Sequence, residues 1–285
     1  MPINLDAVGA VSSAHELRYG WRELALYALG IGARRDLELP YLYEGCSGGI
    51  KAFPTFCVIP AFDAVRELMQ LAGIQMKQVI HSEQAVTVEA PLPPEGVLST
   101  TATLDGVYDL KRFATAKLST ETRLGGKILV RTVWSIVVTG EGRFGGPRPP
   151  RDAETIAPPK DRAPDFERAW TTTEEQALLY RLSGDINPLH ADPAVAAEAG
   201  FDQGPILHGL STFGHVARTV VLERAGGDAD RLVAIAGRFS KPVWPGDTIV
   251  VSGWDMGEGR VALQARVTDR PEPVMTHMWA RVAAS

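Results

Sequence analysis

Cysteine is nearly absent from this chain, which carries only Cys46 and Cys57 among its 285 residues. Nothing in their positions marks a disulfide framework or a metal-binding cluster. Each cysteine is therefore predicted to be a small buried residue. The cysteines indicate neither a redox protein nor a metal protein.

An excess of basic charge is lacking as well, because 34 acidic side chains against 29 lysines and arginines give a net charge of −5. A nucleic-acid partner is therefore not expected. No apolar run reaches the roughly 18 residues that a membrane span needs, so no membrane partner is expected. The opening residues, MPINLDAVGA, lack the basic and apolar regions of a signal peptide, and a cytoplasmic location is expected.

The chain contains an internal repeat. Residues 23–33 (ELALYALGIGA) resemble residues 175–185 (EQALLYRLSGD), and residues 90–104 resemble residues 241–254. The latter two segments share a Pro-Xaa-Xaa-Pro opening, a turn with glycine and an acid, and a strand-like run. Both pairs are about 150 residues apart and occur in the same order. The pattern indicates a duplicated domain.

The stretch between the copies is rich in glycine, proline and charge, which is typical of an exposed connection. We predict an N-terminal domain at residues 1–140, a linker at 141–164 and a C-terminal domain at 165–285. Each copy is expected to run as a helix, a loop, a longer helix and then strands. A buried helix followed by an antiparallel sheet predicts an α+β fold in which a sheet curls round one helix.

Local signals place the elements. Thr172 or Thr173 is predicted to cap a helix, and Asp192-Pro193 is predicted to start a short helix that ends at Gly200. The long helices, apolar on most of their surface in the second copy, are predicted at 60–73 and 206–227. The strands are predicted at 84–90, 97–109, 113–123 and 127–139, and then at 232–240, 248–254, 260–268 and 274–282.

One acid and one imidazole stand five positions apart in the second copy, Asp185 and His190, with Asn187-Pro188 between them. A helix does not bring positions i and i+5 onto one face, and Pro188 breaks a helix here. The two side chains can therefore converge only across a tight turn. His208-Gly209 follows at the start of the next helix, whose N-terminus favours negative charge. Together these are the parts of an acid–base site with an anion-binding pole.

Residues 180–209 (YRLSGDINPLHADPAVAAEAGFDQGPILHG) resemble the hydratase 2 motif of the MaoC-like (R)-specific 2-enoyl-CoA hydratases. Residues 239–251 (FSKPVWPGDTIVV) match that family too. Residues 25–33, 54–60 and 91–96 are similar to the N-terminal half of its two-domain members. The resemblance implies a double hot dog fold, with two antiparallel sheets each wrapped round a central helix and joined edge to edge. It also implies reversible syn hydration of a trans-2-enoyl-CoA to the (3R)-3-hydroxyacyl-CoA, with no cofactor beyond the coenzyme A of the substrate.

Carried over residue by residue, the resemblance implies that Asp185 and His190 are the catalytic dyad. It implies that Asn187 braces the dyad loop and that the Gly209 N–H meets the thioester oxygen. Arg238 and Lys241 lie near the Pro-Gly turn and could meet the coenzyme A phosphates, with a solvated surface as the alternative. Which member of the dyad acts as acid and which as base is left open, because their titrations would be coupled.

The first copy lacks these groups, since Ile31-Gly32-Ala33 stands where the second has Asp185. One active site per chain is expected, with the first half shaping the acyl pocket, as it does in two-domain relatives. This half departs from the family pattern at residues 80–84 and 109–114. Both departures bear on acyl-chain preference.

Other readings stay open beside these. His208 and His215, seven apart, could join His190 and Asp192 in a metal cluster. We instead interpret His215 as a histidine at the edge of the core and His208 as a structural residue at a helix start, and we expect no metal. The residues Trp134, Trp279, His81 and Glu83 are given structural roles.

Two other functions remain as alternatives. The chain could be a 3-hydroxyacyl dehydratase acting on an acyl-carrier protein, or a non-catalytic acyl-CoA-binding subunit. An intact dyad argues against the second, since a scaffold needs neither group. An acyl-CoA thioester is the expected partner, and pairing of sheet edges makes a homodimer the expected assembly.

Overall fold

The computed structural model describes residues 3–150 and 155–284. Within these ranges the helices are Trp21–Gly30 (α1), Arg35–Glu38 (α2), Phe62–Leu71 (α3), Gln176–Tyr180 (α4), Pro193–Glu198 (α5) and Gly209–Arg224 (α6). The strands are His15–Tyr19 (β1), Val79–Val88 (β2), Gly96–Asp109 (β3), Phe113–Leu124 (β4), Lys127–Thr139 (β5), Phe166–Thr171 (β6), Leu232–Phe239 (β7), Thr248–Asp255 (β8), Arg260–Val267 (β9) and Pro273–Val282 (β10). No helix in these ranges is both long and apolar enough to cross a bilayer.

The ten described strands form one sheet in the order β1-β3-β4-β5-β2-β7-β10-β9-β8-β6. Every pairing is antiparallel. The second five strands repeat the order of the first five in reverse, so the two halves are related by a pseudo-twofold. They meet where β2 pairs with β7, with Gln84 opposite Gly237 and Ala85 opposite Ala236. The predicted α+β double hot dog, joined edge to edge, is confirmed.

The two central helices, α3 and α6, are shorter than the predicted ranges. The chain is still extended at His208 (ψ 133°) before α6 begins. Beyond Arg224, Gly226 and Gly227 take left-handed conformations that end the helix. Phe213 and Val220 are fully buried on α6, as its nearly all-round apolar pattern predicts. The short helix α5 also follows its prediction, with Asp192 accepting a hydrogen bond from the Ala194 N–H as N-cap.

Two strands were missed and one cap was predicted wrongly. The short strands β1 and β6 lie at the two edges of the sheet, each with one neighbour, and both carry charged residues that hide a strand pattern. Helix α4 begins after Glu175 rather than after a threonine cap. The Thr172 hydroxyl donates to the Asp247 carbonyl, and Glu175 at the N-cap makes no side-chain capping hydrogen bond.

Strand β2 begins five residues earlier than predicted, at Val79, and so includes His81 and Glu83. The His81 ring stacks on Trp134 with centroids 4.7 Å apart. Burial lowers the pKa of His81 to about 4, which leaves its ring neutral at pH 7. The contact places His81 and Trp134 together in the packing of the first half. The other repeated tryptophan, Trp279, is only partly buried.

Several polar contacts bind the two halves across the pseudo-twofold. The buried Arg218 on α6 makes a bidentate pair with the buried Glu38 on α2, with N···O distances of 2.8 and 2.6 Å. The Gln176 amide donates to the Leu29 and Gly30 carbonyls at the end of α1. The halves therefore share a continuous interior as well as a sheet.

The predicted linker is described at its two ends. At its start, the Asp109 carboxylate in the β3–β4 turn accepts hydrogen bonds from the Arg143 and Gly145 N–H groups. Residues 151–154 lie outside the described ranges. The domain boundaries stay predictions. Of the two cysteines, Cys57 is buried as expected, whereas Cys46 is partly exposed.

Candidate active site

A compact double turn brings Asp185 and His190 together. Helix α4 passes into a 3₁₀ turn at Arg181–Ser183, Gly184 adopts a φ of 141°, and a second 3₁₀ turn covers Pro188–His190. The Asn187 side chain accepts from the Leu189 N–H at 3.1 Å, and the Asp185 carboxylate accepts from the Asn187 N–H at 3.3 Å. Asn187 therefore caps the turn that places His190, which is consistent with its predicted bracing role.

The acid and the imidazole converge with a third group. A carboxylate oxygen of Asp185 and ring nitrogens of His190 and His208 lie within 4.8 Å of one another. The His190 and His208 rings stack with centroids 3.8 Å apart and planes 30° apart. Both histidines are buried, whereas Asp185 is only partly so. The geometry is that of a small acid–base site with one face open.

Hydrogen bonds to backbone carbonyls fix the tautomers of both histidines. His190 Nδ1 lies 2.8 Å from the Ile206 oxygen, and His208 Nε2 lies 3.0 Å from the Asp185 backbone oxygen. A carbonyl oxygen can only accept, so each of these nitrogens carries the hydrogen when the ring is neutral. His190 Nε2 is thereby left with a free lone pair that can accept a proton.

Burial shifts the pKa of both members of the dyad. It raises the pKa of the Asp185 carboxyl, against the opposing effects of charge on His190 and the Asn187 hydrogen bond. It lowers the pKa of His190, against the opposing effect of the Asp185 carboxylate. Burial thus works against the charged form of each group, and because the two groups lie close together their titrations are coupled.

The N-terminus of α6 provides an anion-binding pole at the same place. His208 is the N-cap residue of this 16-residue helix, but its side chain makes no capping hydrogen bond. The Gly209 N–H begins the helix, where backbone donors lack intrahelical acceptors. A Cβ added to Gly209 would lie 3.1 Å from the Phe239 ring. The first residue of α6 thus lies close to the Phe239 ring.

A cavity of about 410 Å³ opens beside His190. Leu178, Gln203 and Trp244 are among its lining residues, and all of them belong to the second half. Sequence reasoning did not assign this cavity, although its Trp244-Pro245 edge belongs to the conspicuous Pro-Gly turn. The dyad loop also lies near residues of the first half. There the Ile59 side chain approaches Gly184, and the Arg66 guanidinium acts to lower the pKa of Asp185.

The structure places the two candidate coenzyme A contacts apart from this cavity. Arg238 lies on β7 and donates to a Glu83 carboxylate oxygen across the junction of the halves, at 2.6 and 2.8 Å. Lys241 follows just after the strand with an exposed side chain. Neither residue lines the cavity beside His190. Their contact with coenzyme A stays a prediction.

The first half fills the place that the dyad loop occupies in the second. Ile31 is fully buried, and its side chain lies against the Gly214 backbone on α6. Gly32 takes a φ of 77° and lies so close to the His215 ring that a Cβ would stand 2.4 Å from Nε2. His215 is therefore inside the core rather than at its edge. In the first half, packed side chains replace the acid and base.

Among the described residues, Asp185, His190 and His208 are the group that could together hold a metal ion. His215 and Asp192, which sequence reasoning had considered with them, do not join this cluster. The hydrogen bond from each histidine to a carbonyl leaves its other ring nitrogen free and is compatible with metal ligation. The two rings are stacked, however, with centroids 3.8 Å apart, and in-plane lone pairs of stacked rings do not point at one another. The expectation that no metal is bound stays a prediction.

Two protein-family models match this chain, one in each half. Residues 155–276 match the family model described as MaoC like domain, and residues 17–140 match the MFE-2 hydratase 2 N-terminal domain. The chain is 36% identical over 275 residues to 3-hydroxyacyl-thioester dehydratase Y of Mycobacterium tuberculosis, covering 94% of this chain and 92% of that protein. The chain belongs to the MaoC-like family. The family resemblance read from the sequence is thereby confirmed.

Two further MaoC-like relatives cover nearly the whole chain. Enoyl-CoA hydratase ChsH3 of Mycobacterium tuberculosis is 37% identical over 272 residues, which is 92% of this chain and 93% of that protein. The crystal structure of a MaoC-like dehydratase from Phytophthora capsici superposes with a TM-score of 0.88 at 30% identity. That comparison covers 99% of each chain. The MaoC-like family and its two-half architecture therefore extend over the full length of both halves.

Proposed function

We propose that this MaoC-like protein is an enzyme of the hydro-lyase class that reversibly hydrates a trans-2-enoyl-CoA to the (3R)-3-hydroxyacyl-CoA. The observation that carries the proposal is the convergence of the Asp185 carboxylate with ring nitrogens of His190 and His208 at the N-terminus of α6. The relatives named as an enoyl-CoA hydratase and a 3-hydroxyacyl-thioester dehydratase support it. The two names describe opposite directions of one chemistry.

The tautomer of His190 supports its assignment as the base, and we assign the Asp185 carboxyl as the acid. A water held between the two side chains gives a proton to His190 Nε2 as its oxygen bonds to Cβ. The protonated Asp185 carboxyl gives its proton to Cα. The product gains one hydroxyl and one hydrogen, and a proton passing from His190 back to Asp185 restores the starting state. Because both groups approach from one side, the addition is syn, and each proton transfer contributes about 10²–10⁴ in rate.

Between these two transfers, negative charge develops on the thioester oxygen. The Gly209 N–H is free to donate to this oxygen, and the dipole of α6 favours negative charge at the same point. A preorganised donor of this kind is worth about 10²–10³ in rate. The thioester already activates the alkene, so neither a metal nor a cofactor is needed for the step.

The first half takes a supporting part in this proposal. Its Ile59 and Arg66 act on the dyad loop and do not line the cavity beside His190, and we assign the acyl chain to this region. The first half has packed side chains where the second has its acid and base, so we assign it the shaping of the acyl pocket rather than a second reaction. Arg238 and Lys241 are retained as candidate contacts of the coenzyme A phosphates.

The proposal is tested by incubating the purified chain with trans-2-enoyl-CoA esters of increasing length and resolving the product on a chiral column. We expect loss of enoyl-thioester absorbance and a 3R product. A 3S product would overturn the assignment. The same assay is repeated with the enoyl group carried by an acyl-carrier protein. Comparing the two rates shows whether the enzyme prefers the coenzyme A thioester or the carrier-protein thioester. Absence of turnover on both carriers would favour a non-catalytic acyl-CoA-binding subunit.

A cytoplasmic location and a homodimer are retained from the sequence as predictions. Two edge strands, β1 and β6, are present in the structure, and pairing of either edge is one route to a dimer. Size-exclusion chromatography with light scattering measures the assembly directly. A monomer at working concentration would exclude the dimer.

A further inference from the structure

Among the described residues, His208 has a buried ring nitrogen without a hydrogen-bond partner. Its side chain is 1% exposed, and burial together with charge on His190 holds its pKa well below the usual range. The ring is therefore neutral, with its hydrogen on Nε2, which donates to the Asp185 carbonyl. His208 Nδ1 is then an acceptor, and it has no hydrogen-bond partner among the described residues. An unsatisfied buried acceptor is costly, so a partner is expected.

The side chain packed against it carries an unused donor. Tyr180 is fully buried, and its ring lies 4.9 Å from the His208 ring between centroids. Burial holds its pKa well above the usual value, so the phenol keeps its hydrogen. Within the described ranges its hydroxyl also lacks a hydrogen-bond partner. A donor and an acceptor, both orphaned and both buried, thus belong to two rings in contact.

These two residues stand directly behind the dyad. The His208 ring stacks on His190 at 3.8 Å and holds the Asp185 backbone. Tyr180 is the last residue of α4, five positions before Asp185. Any restraint on the His208 ring therefore acts on both members of the dyad. The catalytic steps proposed above use neither Tyr180 nor His208.

We propose that Tyr180 and His208 are positioning residues for the dyad, linked by one buried water that accepts from the Tyr180 hydroxyl and donates to His208 Nδ1. Buried waters occupy sites of this kind, where otherwise unsatisfied polar groups surround them. The link fixes the rotation of the His208 ring. That ring in turn fixes the plane of His190 and the backbone of Asp185. The effect on rate rests on the proposed hydration, but the link itself does not.

The test compares Tyr180→Phe with Tyr27→Phe. Tyr27 is a buried tyrosine whose ring lies 6.1 Å from that of Tyr180, and it is not in ring contact with either histidine of the dyad region. Both changes remove one buried hydroxyl and keep the ring. We expect Tyr180→Phe to lower kcat about tenfold, as for one lost positioning contact, with KM changed less than about twofold. Tyr27→Phe is expected to leave kcat unchanged.

A second readout does not depend on turnover. The ¹⁵N resonance of His208 Nδ1 reports whether that nitrogen accepts a hydrogen bond. We expect it to move by several ppm toward the position of a free acceptor in Tyr180→Phe and to stay in place in Tyr27→Phe. An unmoved resonance in Tyr180→Phe would overturn the link even if kcat fell. Equal loss of kcat in both variants would overturn the positioning role, and a moved resonance in a chain that hydrates no enoyl-CoA would overturn the proposed function alone.

Discussion

The protonation of His190 depends on two neighbours, the Ile206 carbonyl and the Asp185 carboxyl. The carbonyl keeps hydrogen on Nδ1, which leaves Nε2 as the acceptor nitrogen of the neutral ring. Burial lowers the pKa of His190, and the Asp185 carboxylate partly offsets this effect. His190 is therefore expected to stay unprotonated at mildly acidic pH.

We therefore expect His190 to titrate below the ordinary histidine value of about 6.5. Replacing Asp185 with Asn removes the negative charge that raises the pKa of His190, so its titration should move to still lower pH. The measurement is an NMR titration of the six histidines, with His190→Ala used to assign the resonance. A titration that moves upward in Asp185→Asn would contradict the electrostatic account.

A second residue-scale prediction concerns Gly209, whose Cβ would stand 3.1 Å from the Phe239 ring. We expect Gly209→Ala to push the helix start away from the thioester oxygen and to lower kcat/KM by about 10- to 100-fold. The change is measured by steady-state hydration of one enoyl-CoA. Phe239→Leu in the Gly209→Ala background gives the added methyl room, so it should restore part of the loss. No recovery would show that the ring is not the obstacle.

At the scale of elements, the sequence predicted much of the fold because its signals were local. The apolar helix α6, the Asp192 cap and eight of the strands follow from periodicity and capping chemistry. Strands β1 and β6 were missed because a short charged edge strand is held by its neighbour rather than by its own pattern. The pairing of β2 with β7 depends on contacts about 150 residues apart, which only the family resemblance implied.

The features of the site also fall into those that the sequence reveals and those that it does not. Asp185, His190, Asn187 and Gly209 could be found from the motif, because acid, base and turn residues stand close together in the chain. The cavity beside His190 could not be found in this way, since its walls at Leu178, Gln203 and Trp244 come from three separate segments. The unused polar atoms of Tyr180 and His208 depend on burial, which no residue type reveals.

The loop that ends α1 gives an element-scale prediction. Gly32 combines a φ of 77° with a position where a Cβ would lie 2.4 Å from His215 Nε2. We expect Gly32→Ala to destabilise the fold by more than the roughly 1–2 kcal/mol that a left-handed alanine costs. Gly9→Ala is the matched control, because Gly9 has a φ of 87° with open space around it. Thermal unfolding measures the stability of both variants. Equal losses of stability would rule out the contact between the residue 32 side chain and His215 as the cause.

At the scale of the whole molecule, the two halves are held by ion pairs in opposite environments. Arg218 and Glu38 are almost fully buried, with side chains 0% and 1% exposed. Lys51 and Asp228 also join the halves, at 2.9 Å, but their side chains are 45% and 41% exposed. Removing one partner of a buried pair leaves an uncompensated charge, whereas an exposed pair contributes little.

We expect Glu38→Ala to cost about 3–5 kcal/mol of unfolding free energy, and Lys51→Ala at most about 1 kcal/mol. The double change Glu38→Ala with Arg218→Ala should cost less than the sum of the two single changes, since neither charge is then left alone. Urea denaturation of the four variants measures these differences. Strict additivity would contradict a direct interaction of the two side chains.

The different roles proposed for the two halves also predict the range of substrates. If the first half shapes the acyl pocket as proposed, turnover should extend to enoyl-CoA esters with long or bulky acyl groups, including sterol-like side chains. The measurement is kcat/KM across a series from four carbons upward. A preference for the four-carbon substrate alone would contradict the role of the first half as an acyl pocket.

Asp185 and His190 are proposed to act as one unit on one water. This proposal is tested most directly by following enoyl-thioester absorbance with Asp185→Asn, His190→Ala and the double variant, each shown by circular dichroism to be folded. We predict that each single change lowers kcat by about 10²–10⁴ and that the double change lowers it little further, because either loss disables the unit. Hydration at the unmodified rate in either single variant would contradict the account.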